Sequence, residues 1–139
     1  MNNAAINTSP VPFIGRLLMA AIFLLSGFGK LAAPAGTIGY IASSGLPFAT
    51  LGFILAVAVE VGGGILLVLG YKTRIVASVL AVFTIVTGLA FHHAFGDQNQ
   101  MIHFLKNLAM AGGFLQVAAF GAGAYSLDNR APVVAQRAA

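Results

Sequence analysis

The chain has 139 residues, of which 59% are hydrophobic and only 7% are charged. Soluble domains carry about 25% charged residues, so this composition predicts an integral membrane protein and excludes an ordinary soluble fold. The net charge of +4 comes from basic residues scattered between apolar stretches, which is typical of membrane anchoring and not of a nucleic-acid-binding surface.

Four apolar stretches follow a short polar tail at 1–12, and each is near the ~20 residues that a membrane-spanning helix needs. The first carries Lys30 and lacks a basic start, which favours a retained helix over a cleaved signal peptide. The breaker-rich stretch 32–48 predicts an interfacial loop or a short amphipathic helix. The predicted spans of the bundle, 13–123, are 13–31, 49–69, 75–93 and 101–120, and a polar tail follows at 124–139.

Four spans place both termini on one side of the membrane. Lys72, Arg74, Arg130 and Arg137 fall on that side, whereas the opposite loops carry little charge beyond Asp97. Because basic residues concentrate on the cytoplasmic side, we expect both termini in the cytoplasm. The sequence therefore predicts an all-α integral membrane four-helix bundle, multi-pass in a bacterial inner membrane.

The second span is unusual because Glu60 lies near its centre. A carboxylate at mid-bilayer is unfavourable by roughly 3 kcal/mol even on the lenient insertion scale, so Glu60 should face the protein interior and pair with a cation. The glycines that follow leave one helix face almost without side chains, which favours close helix packing. A structural interpretation assigns an ion pair and close packing to Arg16, Glu60, Gly63 and Gly64. Arg16 alone also fits an anchor in the inner leaflet.

Further polar residues fall in the outer half of the predicted bundle, given the ~1.5 Å rise per helical residue. Residues three or four apart share a helix face, and long lysine side chains can extend from that level towards Glu60. We therefore expect one polar pocket that opens outward, with Glu60 as a catalytic proton-relaying group. The expected ligand-binding residues are Lys30, Lys106, Asn107, His92, His103 and Ser26. Both lysines equally fit the alternative of extending to lipid headgroups.

Metal and thiol chemistry find no support in the sequence. His92 and His93 are adjacent and point about 100° apart on a helix, so both cannot face one ion. No H-x-x-x-H or E-x-x-H spacing is present, and we predict no metal site. The chain has no cysteine, so any redox activity would need a bound cofactor or a partner protein.

Short motifs on three of the predicted helices form a set. They are Gly15-Arg16, Ser26-Gly27 and Lys30, then Glu60-Val61-Gly62-Gly63 with Gly70 and Arg74, and finally Phe104-Leu105-Lys106-Asn107-Leu108-Ala109 and Gly112-Gly113. Together these motifs resemble the DoxX family of small bacterial inner-membrane proteins. The resemblance implies a four-helix membrane bundle. It also suggests an association with electron transfer, because some relatives are named as subunits of quinone-reducing thiosulfate oxidation systems or of oxidoreductase complexes.

Three hypotheses for function follow. The first is a redox-associated subunit that binds a quinone-like or other small apolar molecule in the pocket, and it leaves open whether the chain is itself an enzyme. Its expected partners are the lipid bilayer and either an oxidoreductase or a second copy of the chain. The second is a non-catalytic scaffold that docks an oxidoreductase, with a structural ionic cluster. The third, a small-molecule or proton/ion pathway, is least favoured because no inverted repeat is evident.

Overall fold

The computed structural model describes residues 9–130. Most of the predicted tail 1–12, and the end of the tail 124–139 with Arg137, lie outside the described residues. Within the described residues the secondary structure is helical throughout, which confirms the all-α prediction. The helices are α1 (Val11–Ala32), α2 (Pro34–Ser43), α3 (Ala49–Leu69), α4 (Thr73–Phe91) and α5 (Gln98–Phe120).

Three of these helices, α1, α3 and α4, are long and apolar enough to cross a membrane. The fourth long helix, α5, has 23 residues and sufficient length, but it is less apolar. Its first half carries His103, Lys106 and Asn107, and its first three residues are polar. The bundle therefore contains the four long helices that the sequence predicts, with α5 as the most polar.

The short helix α2 occupies much of the stretch 32–48, for which the sequence predicted either an interfacial loop or a short amphipathic helix. It begins at Pro34, whose fixed φ suits the first helical position and whose missing N–H needs no partner there. Ile41 is its buried residue and lies against Gly52 of α3. The segment thus folds onto the start of α3.

A turn of π-helix at Ala58–Gly62 interrupts α3 and carries Glu60. A π-turn contains an extra residue, so it rotates the helix faces before and after it relative to one another. Two glycines, one on α1 and one on α3, allow α1 to pack closely against this part of α3. An added Cβ at Gly27 of α1 would lie 2.6 Å from Val61 Cγ2, and one at Gly64 would lie 2.8 Å from Leu24 Cδ2. The helix predicted over 49–69 is present, and it contains a π-turn around Glu60 that the sequence did not indicate.

The hydrophobic core lies between α1, α3, α4 and α5 on the side of Glu60 nearer the chain termini. Leu67, Leu80 and Phe114 are fully buried in it. Phe114 meets Phe23 of α1 edge to face, with ring centroids 5.3 Å apart. These contacts join α5 to α1 and close the bundle at this level.

Arg16 is buried at the end of the bundle that we call the Arg16 end, formed by Arg16, Gly70 and residues 121–130. Its guanidinium donates hydrogen bonds to the carbonyl oxygens of Leu67 (2.6 Å) and Val68 (3.1 Å), and another to Tyr125. Arg16 is only 1% exposed, so the side chain does not extend to lipid headgroups. It satisfies carbonyls at the end of α3, which lack partners within their own helix.

Asp128 closes the same end from the segment that follows α5. Its carboxylate accepts hydrogen bonds from the backbone N–H groups of Lys72 (2.7 Å) and Thr73 (2.8 Å), where α4 begins. Burial raises the pKa of Asp128, but the hydrogen bonds from Thr73 and Lys72, with the charge of Arg16, outweigh burial and hold its pKa below the ordinary carboxyl value. The segment after α5 is thereby attached to the starts of α1 and α4.

Candidate functional site

An ion pair joins α1 to the π-turn of α3. Lys30 Nζ lies 2.9 Å from Glu60 Oε2 and donates hydrogen bonds to Glu60 Oε1 (3.0 Å) and Ser26 Oγ (2.7 Å). Ser26 Oγ in turn donates to Glu60 Oε1 at 3.3 Å. The contact to Oε2 falls outside hydrogen-bond geometry, so this oxygen has a neighbouring positive charge but no hydrogen bond.

The local structure of each helix explains why these three side chains meet. Ser26 and Lys30 are four residues apart on α1 and therefore share a face. Between them, Gly27 has no side chain, which allows the π-turn to approach the backbone of α1. The Glu60 side chain is 8% exposed and that of Lys30 is 24% exposed. The Glu60 side chain is thus more shielded than the Lys30 side chain.

A cavity of about 760 Å³ lies beside the ion pair. Ligand pockets for small molecules commonly measure about 300–1,000 Å³ and have mostly apolar walls with few polar groups. This cavity fits that description, since Ser26, Lys30 and Glu60 lie on one wall among apolar residues. The large apolar lining residues include Ile22, Phe23, Ile41, Phe83 and Phe91.

A second polar group lies where α4 ends and α5 passes. His92 Nδ1 is 2.9 Å from Gln100 Oε1, and the ring stacks on His103 with centroids 5.0 Å apart and planes at 23°. Asn107 Nδ2 donates to the carbonyl oxygen of His103 at 3.2 Å. His92 and Asn107 line the cavity. Gly88 of α4 permits this arrangement, because an added Cβ would lie 3.0 Å from Asn107 Cβ.

The helix α2 covers part of the cavity. Gly36, Thr37 and Tyr40 contribute to its lining, and the Tyr40 ring stacks on Phe91 at a centroid distance of 5.5 Å. Sequence reasoning did not assign Tyr40, Phe91 or Gln100 to the site. Tyr40 could have been assigned to the site from the sequence, because it is an aromatic residue in an uncharged stretch between two spans. No local pattern connected Gln100 with His92.

The structure brings together five of the residues that the sequence predicted for the pocket, namely Ser26, Lys30, Glu60, His92 and Asn107. Lys106 is exposed and does not line the cavity, because it points about 100° away from Asn107 on α5. His103 is also exposed, and it contacts the site through its ring, which stacks on His92, and through its carbonyl oxygen, which accepts from Asn107.

The residues that the structural interpretation grouped with Glu60 lie in different parts of the bundle. Arg16 binds backbone carbonyls at the Arg16 end, and the cation that pairs with Glu60 is Lys30. Gly63 packs against Leu80, where an added Cβ would lie 3.0 Å from Cδ2. Both Gly63 and its neighbour Gly64 therefore serve helix packing and not the cavity lining.

Comparison with known proteins identifies the chain's relatives. The model of the DoxX family matches residues 11–93. The chain belongs to the DoxX family. The match covers α1 to α4 and so includes Lys30, Glu60 and His92, whereas Asn107 lies beyond it.

Two relatives of this DoxX protein come from Escherichia coli strain K12. Inner membrane protein YqjF is 39% identical over 118 residues, which cover 84% of this chain and 88% of the relative. Inner membrane protein YphA is 42% identical over 122 residues, which cover 84% of this chain and 87% of the relative. No solved structure matches the chain. The family resemblance and the multi-pass location in a bacterial inner membrane are confirmed.

Proposed function

We propose that this DoxX protein binds a quinone-like or other small apolar molecule in the cavity beside Glu60, as the membrane subunit of a redox system. The observation that carries the proposal is an apolar cavity of about 760 Å³ with a hydrogen-bonded ion pair on one wall. If the Lys30–Glu60 pair served only to pack helices, we would not expect it to border a cavity of this size. If the pair were only hydrated, we would not expect the remaining cavity walls to be apolar.

The residues present fit a quinone. The apolar walls suit its ring and tail, and the Lys30 ammonium is a donor for a ring carbonyl oxygen. Such a group supplies two-electron, two-proton chemistry when it is bound. In the described part of the chain, Glu60 is the one carboxyl group that lines the cavity, which makes it the candidate to hold and pass on a proton. The electrons would come from an oxidoreductase partner.

A scaffold is the second candidate, because the Lys30–Glu60 pair joins α1 to α3 and so contributes to helix packing. In that case the chain would dock an oxidoreductase and retain no small molecule. Substituting Glu60 would then reduce the yield of folded protein without removing a bound compound.

The test is mass spectrometry of the small molecules retained by protein purified in mild detergent. We expect an apolar, oxygen-bearing compound to be enriched in the wild type and lost from Glu60→Gln and Lys30→Met. Lys106→Met is the matched control, since it removes the same charge from an exposed position outside the cavity, and it should retain the compound.

The milder variant Ser26→Ala keeps the test interpretable if the two charge variants do not fold. It removes one hydroxyl from the cluster and leaves both charges in place. We expect it to fold, as measured by thermal unfolding, and to retain less of the compound than wild type. Only bulk lipid in wild type and in every variant would contradict ligand binding and favour the scaffold.

A further inference from the structure

The hydrogen bond between His92 and Gln100 determines which ring nitrogen of His92 is free. The structure places Gln100 Oε1, an acceptor, 2.9 Å from His92 Nδ1, and with the amide in this orientation Nδ1 carries the hydrogen. In a neutral imidazole the other nitrogen, Nε2, is then an acceptor. The stacked ring of His103 holds the His92 ring in this orientation.

The Nε2 atom is available to a ligand. No hydrogen bond joins it to any residue between 9 and 130. His92 lines the cavity, while Gln100, the partner of its Nδ1, does not. Asn107 behaves similarly: its amide nitrogen donates to His103, and its Oδ1 accepts no hydrogen bond within the described residues.

The two polar walls of the cavity therefore differ in hydrogen-bonding character. The wall from α1 and α3 carries the Lys30 ammonium, which is a donor, together with the Glu60 carboxylate that accepts from it. The wall from α4 and α5 carries no carboxylate or ammonium, and it includes His92 and Asn107, whose Nε2 and Oδ1 are acceptors without a hydrogen bond inside residues 9–130. A ligand that matches both walls carries an acceptor oxygen at one end and a hydrogen-bond donor at the other.

We propose that His92 is a specificity-determining residue that accepts a hydrogen bond from a hydroxyl group of the ligand. The preferred ligand class is a hydroxylated aromatic carbonyl compound, with its carbonyl oxygen towards Lys30 and its hydroxyl towards His92 and Asn107. This inference rests on the proposed function, and it adds which end of the ligand accepts a hydrogen bond and which end donates one.

Binding of two matched probes tests the inference. One is a naphthoquinone with a hydroxyl group on the ring that lacks the carbonyls, and the other is its methyl ether, which cannot donate. Equilibrium dialysis against the purified protein, corrected with protein-free micelles, gives both dissociation constants. We expect the wild type to bind the hydroxyl compound roughly tenfold more tightly, the effect of one good hydrogen bond.

Variants of the two adjacent histidines give the matched comparison. His92→Phe should bring the ratio of the two dissociation constants close to one. His93→Phe should retain the wild-type ratio, since His93 is exposed and does not line the cavity. Gln100→Leu should lower the ratio, because it removes the acceptor that holds the hydrogen of His92 on Nδ1. An equal loss of preference in His92→Phe and His93→Phe would overturn the proposal.

Nitrogen NMR of wild-type protein labelled at histidine provides a readout that is independent of any variant's folding. We expect the hydrogen of His92 on Nδ1, and finding it on Nε2 would overturn the proposal. Equal binding of the two probes to wild type would also overturn it, while leaving the proposed function intact. Binding of neither probe above the micelle background would instead contradict the proposed function itself.

Discussion

Three charged groups of residues 9–130 have different kinds of partner; Glu60 and Arg16 are buried, and Asp128 is exposed at the Arg16 end. Glu60 meets an ammonium and a hydroxyl, Arg16 meets backbone carbonyls, and Asp128 meets backbone N–H groups. Charges removed from water must be paired or hydrogen-bonded, and the ends of helices offer unpaired backbone groups for this purpose. Arg16 and Asp128 therefore contribute to the structure through helix ends, and the Lys30–Glu60 pair remains beside the cavity.

Asp128→Asn removes the charge and one of the two acceptor oxygens at the start of α4, so it should lower stability near neutral pH by less than the ~1 kcal/mol that complete loss of a helix N-terminal cap costs. The folded-state pKa of Asp128 lies below its ordinary value of 3.8. Its stabilisation is therefore complete above that ordinary value and is lost as pH falls through the lowered pKa. Thermal unfolding of both proteins against pH should show a difference that shrinks only in the acidic range. A difference independent of pH would show that the charge plays no part.

At the scale of elements, the contact between α1 and α3 determines the geometry of the ion pair. The π-turn turns Glu60 towards α1, and Gly27 allows the backbones to approach, with Val61 N only 3.2 Å from the position of an added Cβ. π-Turns are frequent at functional sites, where they reorient a side chain that a regular helix would place elsewhere. Gly27 is therefore a positioning residue for Lys30 and Glu60.

Gly27→Ala should destabilise the protein by roughly 1–3 kcal/mol, because its methyl group would overlap Val61 in a packed contact. Gly29→Ala is the control on the same helix, since nothing lies within 4 Å of its added Cβ. That control should be neutral or gain up to about 1 kcal/mol from higher helix propensity. Thermal unfolding in detergent compares the two, and equal effects would contradict a positioning role for Gly27.

The whole molecule is closed at one end and open in its other half. Near the Arg16 end, α4 packs against the Gly63–Leu69 part of α3, and the core with the segment after α5 fills the space between helices. In the other half, Gly52 and Ala56 of α3 face the cavity together with residues of α4. The ligand that we propose would therefore enter from the half that contains Lys30 and His92.

Orientation in the membrane follows from the charges, and it remains a prediction that cysteine labelling can test. The chain has no natural cysteine, so Tyr71→Cys and Gly96→Cys report from opposite ends of α4 without further changes. We expect a membrane-impermeant maleimide to label Gly96→Cys in intact cells, and Tyr71→Cys only after the inner membrane is opened. The reverse pattern would place the cavity on the cytoplasmic side.

The sequence by itself determined the features that depend on local apolar length and on spacing within one helix. The four long helices, the membrane location and the shared face of Ser26 and Lys30 all follow from such patterns. The need of Glu60 for a cation also follows, because an unpaired mid-bilayer carboxylate is so unfavourable.

Only the tertiary structure decided which cation Glu60 meets and which polar residues reach the cavity. Spacing gives the directions of side chains around one helix, but not how that helix is rotated against its neighbours. This rotation depends on close contacts such as those at Gly27 and Gly88, which placed Asn107 at the cavity and left Lys106 exposed. The π-turn at Glu60 and the Gln100 contact that orients His92 arise from the same packing.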